Sequence, residues 1–334
     1  MTLGQRSRAV ALGRPFRAVA LGGGHGLYAT LSALRRLTPD VTAVVTVADD
    51  GGSSGRLRRE LGVLPPGDLR MALAALAAAD EDGVRWRELF QHRFGGTGAL
   101  AGHAVGNLVL AGLLEVLGDP VAVLDEACRL LGVRGRVLPM AAEPLDIEAD
   151  VEGLDADPRV QRRIRGQVAV ATTPGTVRRV RLLPTRPRAC AEAVRAVGEA
   201  DLVVLGPGSW FTSVLPHLLV PELAAALVGT TARRVLVLNL APQSGETSGF
   251  SAEQHLRVLA DHAPDGFTVH AVLADPDAVA APGDLTRSAA VLGGRAYLDR
   301  VATGAGSDRH DPVALAEALH RVLAAEQEEE CRWP

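Results

Sequence analysis

Apolar positions along this chain alternate between two periods. Ala18-Val19-Ala20-Leu21 and Val44-Val45-Thr46-Val47 are short uninterrupted apolar runs, the pattern of strands buried on both faces. Between them Leu27, Leu31, Leu34 and Leu37 recur at nearly 3.6 residues, which predicts a helix ended by Pro39-Asp40. Strand, helix and strand in that order make a βαβ unit, which closes a parallel sheet by right-handed crossover. From Arg56 to Gly118 the pattern is mainly helical, interrupted by Pro65-Pro66-Gly67-Asp68, with Asp68 as N-cap of a helix at about 69–79. Others follow around Trp86–Phe94, from His103 to Leu117, and from Pro120 to 132. Residues 136–183 read as short strand-like pieces rich in arginine and acids, a β-rich insertion. Alternation then resumes: a helix at 188–198, strands at Leu202–Leu205 and Val235–Leu238, and a helix near 252–262. A strand near 267–274 and a final helix at 312–326 complete it. Residues 1–14 and 328–334 are expected to be a mobile and a frayed tail around a single domain, 15–327.

Glycine and serine cluster where strands are predicted to end. Gly22-Gly23-Gly24-His25-Gly26 follows the first strand, and Gly24-x-Gly26-x-x-Ala29 fits the loose dinucleotide fingerprint, with Asp49 roughly twenty residues on. Asp49-Asp50-Gly51-Gly52-Ser53-Ser54-Gly55-Arg56 follows the second strand. It sets two carboxylates beside hydroxyls, flexible backbone and positive charge from Arg56 and Arg58. That set suits a phosphorylated ligand, through a metal or through ribose hydroxyls. Gly206-Pro207-Gly208-Ser209 ends a third strand and offers N–H groups to phosphate; it also has the composition of a helix cap. Loops at the carboxyl ends of strands in one open α/β sheet share a cleft. His103 and Asn107, four apart, lie on one helix face, and His103 joins Asp49 and Asp50 as a candidate for chemistry. Asn239 stands at a strand end, and Gln243 and Glu246 suit a cap for the next helix. Arg309 projects ahead of an Asp311-Pro312 helix start.

Composition narrows this picture. Hydrophobic residues make up 47% of 334, but aromatics only 3%, so alanine, valine and leucine must fill the core. Every basic residue is arginine, which excludes a lysine nucleophile or phosphate clamp. A net charge of −4 gives no general attraction to nucleic acid or to acidic membranes. Cys128, Cys190 and Cys331 have no paired spacing, and no run is long enough to span a bilayer. The expectation is a soluble cytoplasmic protein.

Five stretches, Gly22–Leu27, Val45–Leu57, Pro65–Arg70, Ala101–Leu108 and Leu205–Ser209, together resemble the gluconeogenesis-factor proteins. These sit within the superfamily of 2-phospho-L-lactate transferase. Asn239-Leu240, Gln243-x-Gly245-Glu246-Thr247 and Arg309-His310-Asp311 extend the likeness almost end to end, and His25 stands where many members carry threonine. The resemblance implies an α/β class fold: a three-layer α/β/α Rossmann-like parallel sheet with a small β-rich insertion. It implies a cytoplasmic regulator that binds a nucleotide sugar, UDP-N-acetylglucosamine. The role would be in cell shape and wall synthesis during growth on gluconeogenic carbon sources, with a protein partner in wall regulation or a homo-oligomer as further associations. The transferase branch would instead move phospholactate from a guanylyl-activated donor with Mg2+, held by Asp49 or Asp50. An NAD-dependent enzyme rests on the fingerprint alone. The expected ligand contacts are Gly23, Gly24, His25, Gly26, Asp49, Asp50, Ser53, Ser54, Arg56, His103, Asn107, Gly206, Pro207, Gly208, Ser209, Asn239 and Arg309.

Overall fold

The computed structural model describes residues 15–330 apart from 158 and 244, without the side chains of 326–330. The expected mobile tail 1–14 lies outside the described residues. β1 (Arg17–Gly22), α1 (Gly24–Leu37) and β2 (Asp40–Val45) form the predicted βαβ unit, with β1 and β2 paired in parallel register. Five further helices precede the next strand, the first four being α2 (Gly52–Leu61), α3 (Pro66–Leu76), α4 (Glu81–Gln91) and α5 (Val105–Leu117). A fifth, α6 (Pro120–Leu130), is capped by Asp119, whose carboxylate accepts from the Val121 and Ala122 N–H groups.

β3 (Arg136–Pro139) then pairs with β2 as the edge of the main sheet, so the small sheet opens later than the expected 136. Its strands are β4 (Asp146–Glu152), β5 (Arg162–Arg165) and β6 (Thr176–Leu183), antiparallel in the order β5-β4-β6. A short helix, α7 (Gln167–Ala171), is embedded between β5 and β6. On β4 every second residue is buried, the pattern of a strand with one face against the core.

The chain returns through α8 (Ala191–Glu199) to β7 (Leu202–Leu205), which pairs with β1 on the side away from β2. α9 (Pro216–Leu219), α10 (Pro221–Gly229), β8 (Arg233–Val237), α11 (Ala252–His262), β9 (Ala271–Ala274), α12 (Pro282–Val291) and β10 (Arg295–Leu298) continue outward. The main sheet therefore runs β10-β9-β8-β7-β1-β2-β3, parallel throughout. α1, α3 and α13 (Pro312–Glu330) pack on one face, while α8 and α10 cover the other, giving the three layers expected. α12 and β10 fall where no element was expected. The last helix extends to 330, and residues 331–334 of the expected frayed tail lie outside the described residues.

The direction of strand addition reverses at β1, since β2 and β7 lie on its two sides. At such a switch point the loops after the two flanking strands diverge and leave a crevice at their carboxyl ends. Here the first turn of α1, directly after β1, touches the loop after β7. A Cβ on Gly26 would stand 1.8 Å from the Pro207 carbonyl oxygen, far inside any real contact. Gly26→Ala must therefore push the two loops apart. It should cost about 1–3 kcal/mol, the scale of overpacking a filled site, in chemical denaturation against wild type. A cost below the error of that measurement would mean that the loops are not packed this tightly.

Candidate functional site

Two loops and a clamp build one wall of the crevice. α1 begins directly after β1 with Gly23 as its N-cap, which has no side chain to cap the helix, and the Asp68 carboxyl takes the Gly24 N–H. After β7 the chain turns through Gly206–Ser209 into a π-helical turn, Trp210–Val214, with Val214 N–H to Ser209 O and Leu215 N–H to Trp210 O. Asn239, just past β8, holds this loop from the side. Its Oδ1 accepts from Gly208 N at 2.7 Å, and its Nδ2 donates to Gly208 O at 2.8 Å. The amide thereby acts on Gly208 as a neighbouring strand would.

The resulting cleft has a volume of about 780 Å³. His25, Gly26, Pro207, Gly208, Ser209, Asn239 and Arg309 line it, seven of the expected contacts. The Arg309 side chain is exposed and makes no hydrogen bond or ion pair among the described residues. Ala171 of α7, Gln243, Glu246, Asp308 and His310 also line the cleft.

Glu246 does not cap α11, whose capping box is Ser251 with Gln254. Its buried Oε1 instead accepts from Ser209 Oγ and from Trp210 N–H, both at 2.7 Å, which fixes the start of the π-helical turn. Oε2 is buried with no partner among the described residues. Burial pushes the carboxyl up to about 7, partly offset by the Ser209, Trp210 and Phe211 donors. His310, opposite, is pushed down to about 4 by burial, so a neutral imidazole with an unpartnered Nε2 faces the same cleft.

The other expected residues gather beside this cleft and do not line it. Asp68 joins the two groups. It lies inside the first turn of α3 and is no N-cap: that position is Pro65. Its buried carboxyl accepts from Gly24 N–H and is pushed up to about 7, by burial first and then by the charge of Asp49. A Cβ on Gly23 would meet Asp68 Oδ2 at 2.5 Å, so only glycine lets α1 start this close to the carboxyl. Asp49 Oδ1 accepts from Gly51 N–H at 2.9 Å, and its other oxygen faces Gly67. Asp49 and Asp50 part company here. The Asp50 Oδ1 accepts from Val168 N–H at 2.9 Å in the first turn of α7, tying the small sheet to the second glycine loop.

α2 starts at Gly52, so Ser53 and Ser54 are buried in its first turn and not displayed by a loop. Ser54 Oγ accepts from Gly67 N–H at 3.0 Å. Ser53 Oγ bonds His103 Nδ1 and accepts from Asn107 Nδ2, both at 2.9 Å, and Asn107 Oδ1 accepts from Arg70 Nε at 2.8 Å. His103 is lowered by burial and then by the charge of Arg56. Arg56 Nη2 donates to Ala101 O at 2.6 Å, holding the loop before His103, while Arg58 is spent on Leu145 O and Asp146. Gly206 packs on Thr30 behind the loop.

For Mg2+ the carboxylates that the geometry offers are Asp49 and Asp68, not Asp49 and Asp50. Their mutual repulsion would be relieved by a divalent cation completed by ligand phosphates and water, the usual Mg2+ arrangement. Among the described residues no group of three or more His, Cys, Asp or Glu is arranged to hold a metal. Nor is any helix among them long and apolar enough to cross a membrane.

The reversal at β1 and the cleft at that edge define a Rossmann-like α/β protein with an open cleft at the switch point. The chain belongs to the CofD family: the family model described as 2-phospho-L-lactate transferase CofD matches residues 18–291. Relatives carry the name gluconeogenesis factor. A Mycobacterium tuberculosis protein so named provisionally is 66% identical over 309 residues, 92% of this chain and 90% of its own. The Bacillus subtilis gluconeogenesis factor is 40% identical over 256 residues, 77% of this chain and 78% of its own. A crystal structure of a UPF0052 family protein from Bacillus halodurans superposes with a TM-score of 0.80 at 34% identity, over 92% of this chain and 99% of that one.

Glu246 and Asp68 were not expected in the site, because short-range rules make each a helix cap; the signal missed is that both are acids beside glycine loops. A raised carboxyl pKa means that the folded chain holds the proton more tightly than the unfolded one. For Glu246 stability therefore falls as pH rises from about 4.5 through about 7. Glu246→Gln keeps the acceptor and removes the titration. Between pH 4.5 and pH 8 wild type should lose roughly 3 kcal/mol relative to this variant, read from denaturation midpoints at each pH. Parallel pH profiles would exclude the assignment.

Proposed function

We propose that this protein binds a nucleotide sugar, UDP-N-acetylglucosamine, in the switch-point cleft and acts through its occupancy as a cytoplasmic regulator. The regulated process would be cell shape and wall synthesis on gluconeogenic carbon sources, through a protein partner. The observation that carries the reading is the meeting of the two glycine loops beside an unpaired Arg309. Backbone N–H groups at a helix start and a guanidinium suit a diphosphate, and about 780 Å³ leaves room for a sugar and a nucleoside. UDP-N-acetylglucosamine should raise the melting temperature more than NAD or GDP does. At a hundredfold excess over Kd the linkage is about 2.7 kcal/mol, large enough to read. Arg309→Ala should weaken that binding by about 1.5–3 kcal/mol in calorimetry, with the fold intact. Equal or larger stabilisation by NAD would reverse the ranking.

One observation favours a second reading, magnesium-dependent transfer: the Asp49–Asp68 pair, whose repulsion a cation would offset. Under the binding reading the ligand titrates alike with magnesium and with chelator, and Asp49→Asn costs about 1–3 kcal/mol in either. A strict magnesium requirement in wild type that disappears in Asp49→Asn would make transfer the better assignment.

A further inference from the structure

At the opposite edge of the sheet, where helices end and strands begin, a second cavity of about 560 Å³ collects arginines. Arg35 and Arg36 come from the last turn of α1, and Arg134 from the loop before β3. Arg87 of α4 stands close enough for its charge to act on Arg35. Arg35 has a structural explanation, since its Nη1 donates to Ala75 O in the last turn of α3 at 2.9 Å. Arg36, Arg87 and Arg134 have none: no hydrogen bond or ion pair engages their side chains among the described residues.

Asp80 is the one carboxylate among the lining residues, and its Oδ1 is taken by Gly83 N–H as the cap of α4. Its neighbours Glu81 and Asp82 are paired with Arg85. Arg35 is pulled below the usual guanidinium range by burial, then by Arg87, with Arg36 and Arg134 adding to the repulsion and Tyr28 opposing it. Like charges gathered at one cavity favour a counter-anion there. Three lining arginines and Arg87 against one carboxylate leave an excess of three positive charges.

We propose that this cavity is a second ligand site, separate from the switch-point cleft, that takes a compact polyphosphate anion, a pyrophosphate or a pyrophosphate-bearing metabolite. Guanidinium groups bind phosphate oxygens through paired N–H donors. An excess of three charges matches a pyrophosphate better than a monophosphate. α1 connects the two sites: His25 stands at its first turn in the cleft, and Arg35 and Arg36 at its last turn in the cavity, about 15 Å apart along one helix.

Inorganic pyrophosphate titrated calorimetrically into wild type, Arg309→Ala and the double variant Arg36→Ala/Arg134→Ala tests this. Wild type and Arg309→Ala should share a saturable component that the double variant binds at least tenfold more weakly. Inorganic phosphate should be weaker than pyrophosphate in both. Arg134→Gln alone, at an exposed loop position, should weaken the component several-fold and guards against misfolding of the double variant. The idea is overturned by equal affinity in wild type and double variant, by loss confined to Arg309→Ala, or by no saturable binding in wild type. These readouts do not involve a nucleotide sugar, so they stand or fall apart from the cleft's proposed ligand.

Discussion

The contact between the first turn of α1 and the loop after β7 is the constraint on which the rest of the structure depends. Parallel pairing of β7 and β1 brings the two loops side by side, and it is the absence of a side chain at Gly26 that lets them touch. Everything that defines the cleft then props that contact from behind. Asn239 doubles as a strand neighbour for Gly208, Glu246 gathers Ser209 and the Trp210 N–H, and Asp68 holds the Gly24 N–H at the start of α1. Each of these polar side chains satisfies loop backbone or a first-turn N–H that sheet and helix leave unpaired. Backbone groups buried beside a ligand cleft must be paired, and here side chains supply the pairing.

Two of those props are carboxyl groups titrating near neutrality, and that bears on what the cleft can hold. Fully ionised, Asp49, Asp68 and Glu246 would line or back the crevice with negative charge and oppose a diphosphate. Burial keeps Asp68 and Glu246 partly protonated at neutral pH, which lowers that opposition without a lysine anywhere in the chain. Positive charge enters from Arg309 on the last loop, on the solvent side. The field is thus shaped by suppressing negative charge inside as much as by adding positive charge outside.

Much of the architecture was legible because it is written in short range. Val44–Val47 and Leu202–Leu205 are apolar on both faces, as strands covered by helices must be, and the glycine clusters after them mark where the backbone turns tightly. The illegible parts depend on partners distant in sequence. Asp68 looks like an N-cap because Pro65-Pro66-Gly67 precedes it, yet its partner is Gly24, brought in when α3 packs on α1. Glu246 looks like a cap for α11, yet its partners are Ser209 and Trp210, 37 and 36 residues away. β10 escaped because Arg295-Ala-Tyr-Leu298 is short, half-exposed and lacks the apolar run of the inner strands. The insertion was placed early because β3 is only four residues long and merges with the strand-like pieces behind it.

The cluster around His103 argues further about turnover. A serine bonded to a histidine invites comparison with a nucleophile and its base, but the third member decides what such a pair can do. In a catalytic triad a carboxylate orients the imidazole and stabilises the imidazolium that forms on proton transfer. Here the chain of bonds from Ser53 continues through Asn107 to Arg70, a cation, and the charges of Arg56 and Arg93 also depress His103. Burial and the charges of Arg56 and Arg93 oppose an imidazolium here, with Glu60 acting the other way. The Ser53 oxygen already accepts from Asn107 Nδ2, and it sits in the first turn of α2 under the second glycine loop. The arrangement therefore fixes the start of α2 and, through it, the position of Asp49, and it gives proton transfer at Ser53 no electrostatic support.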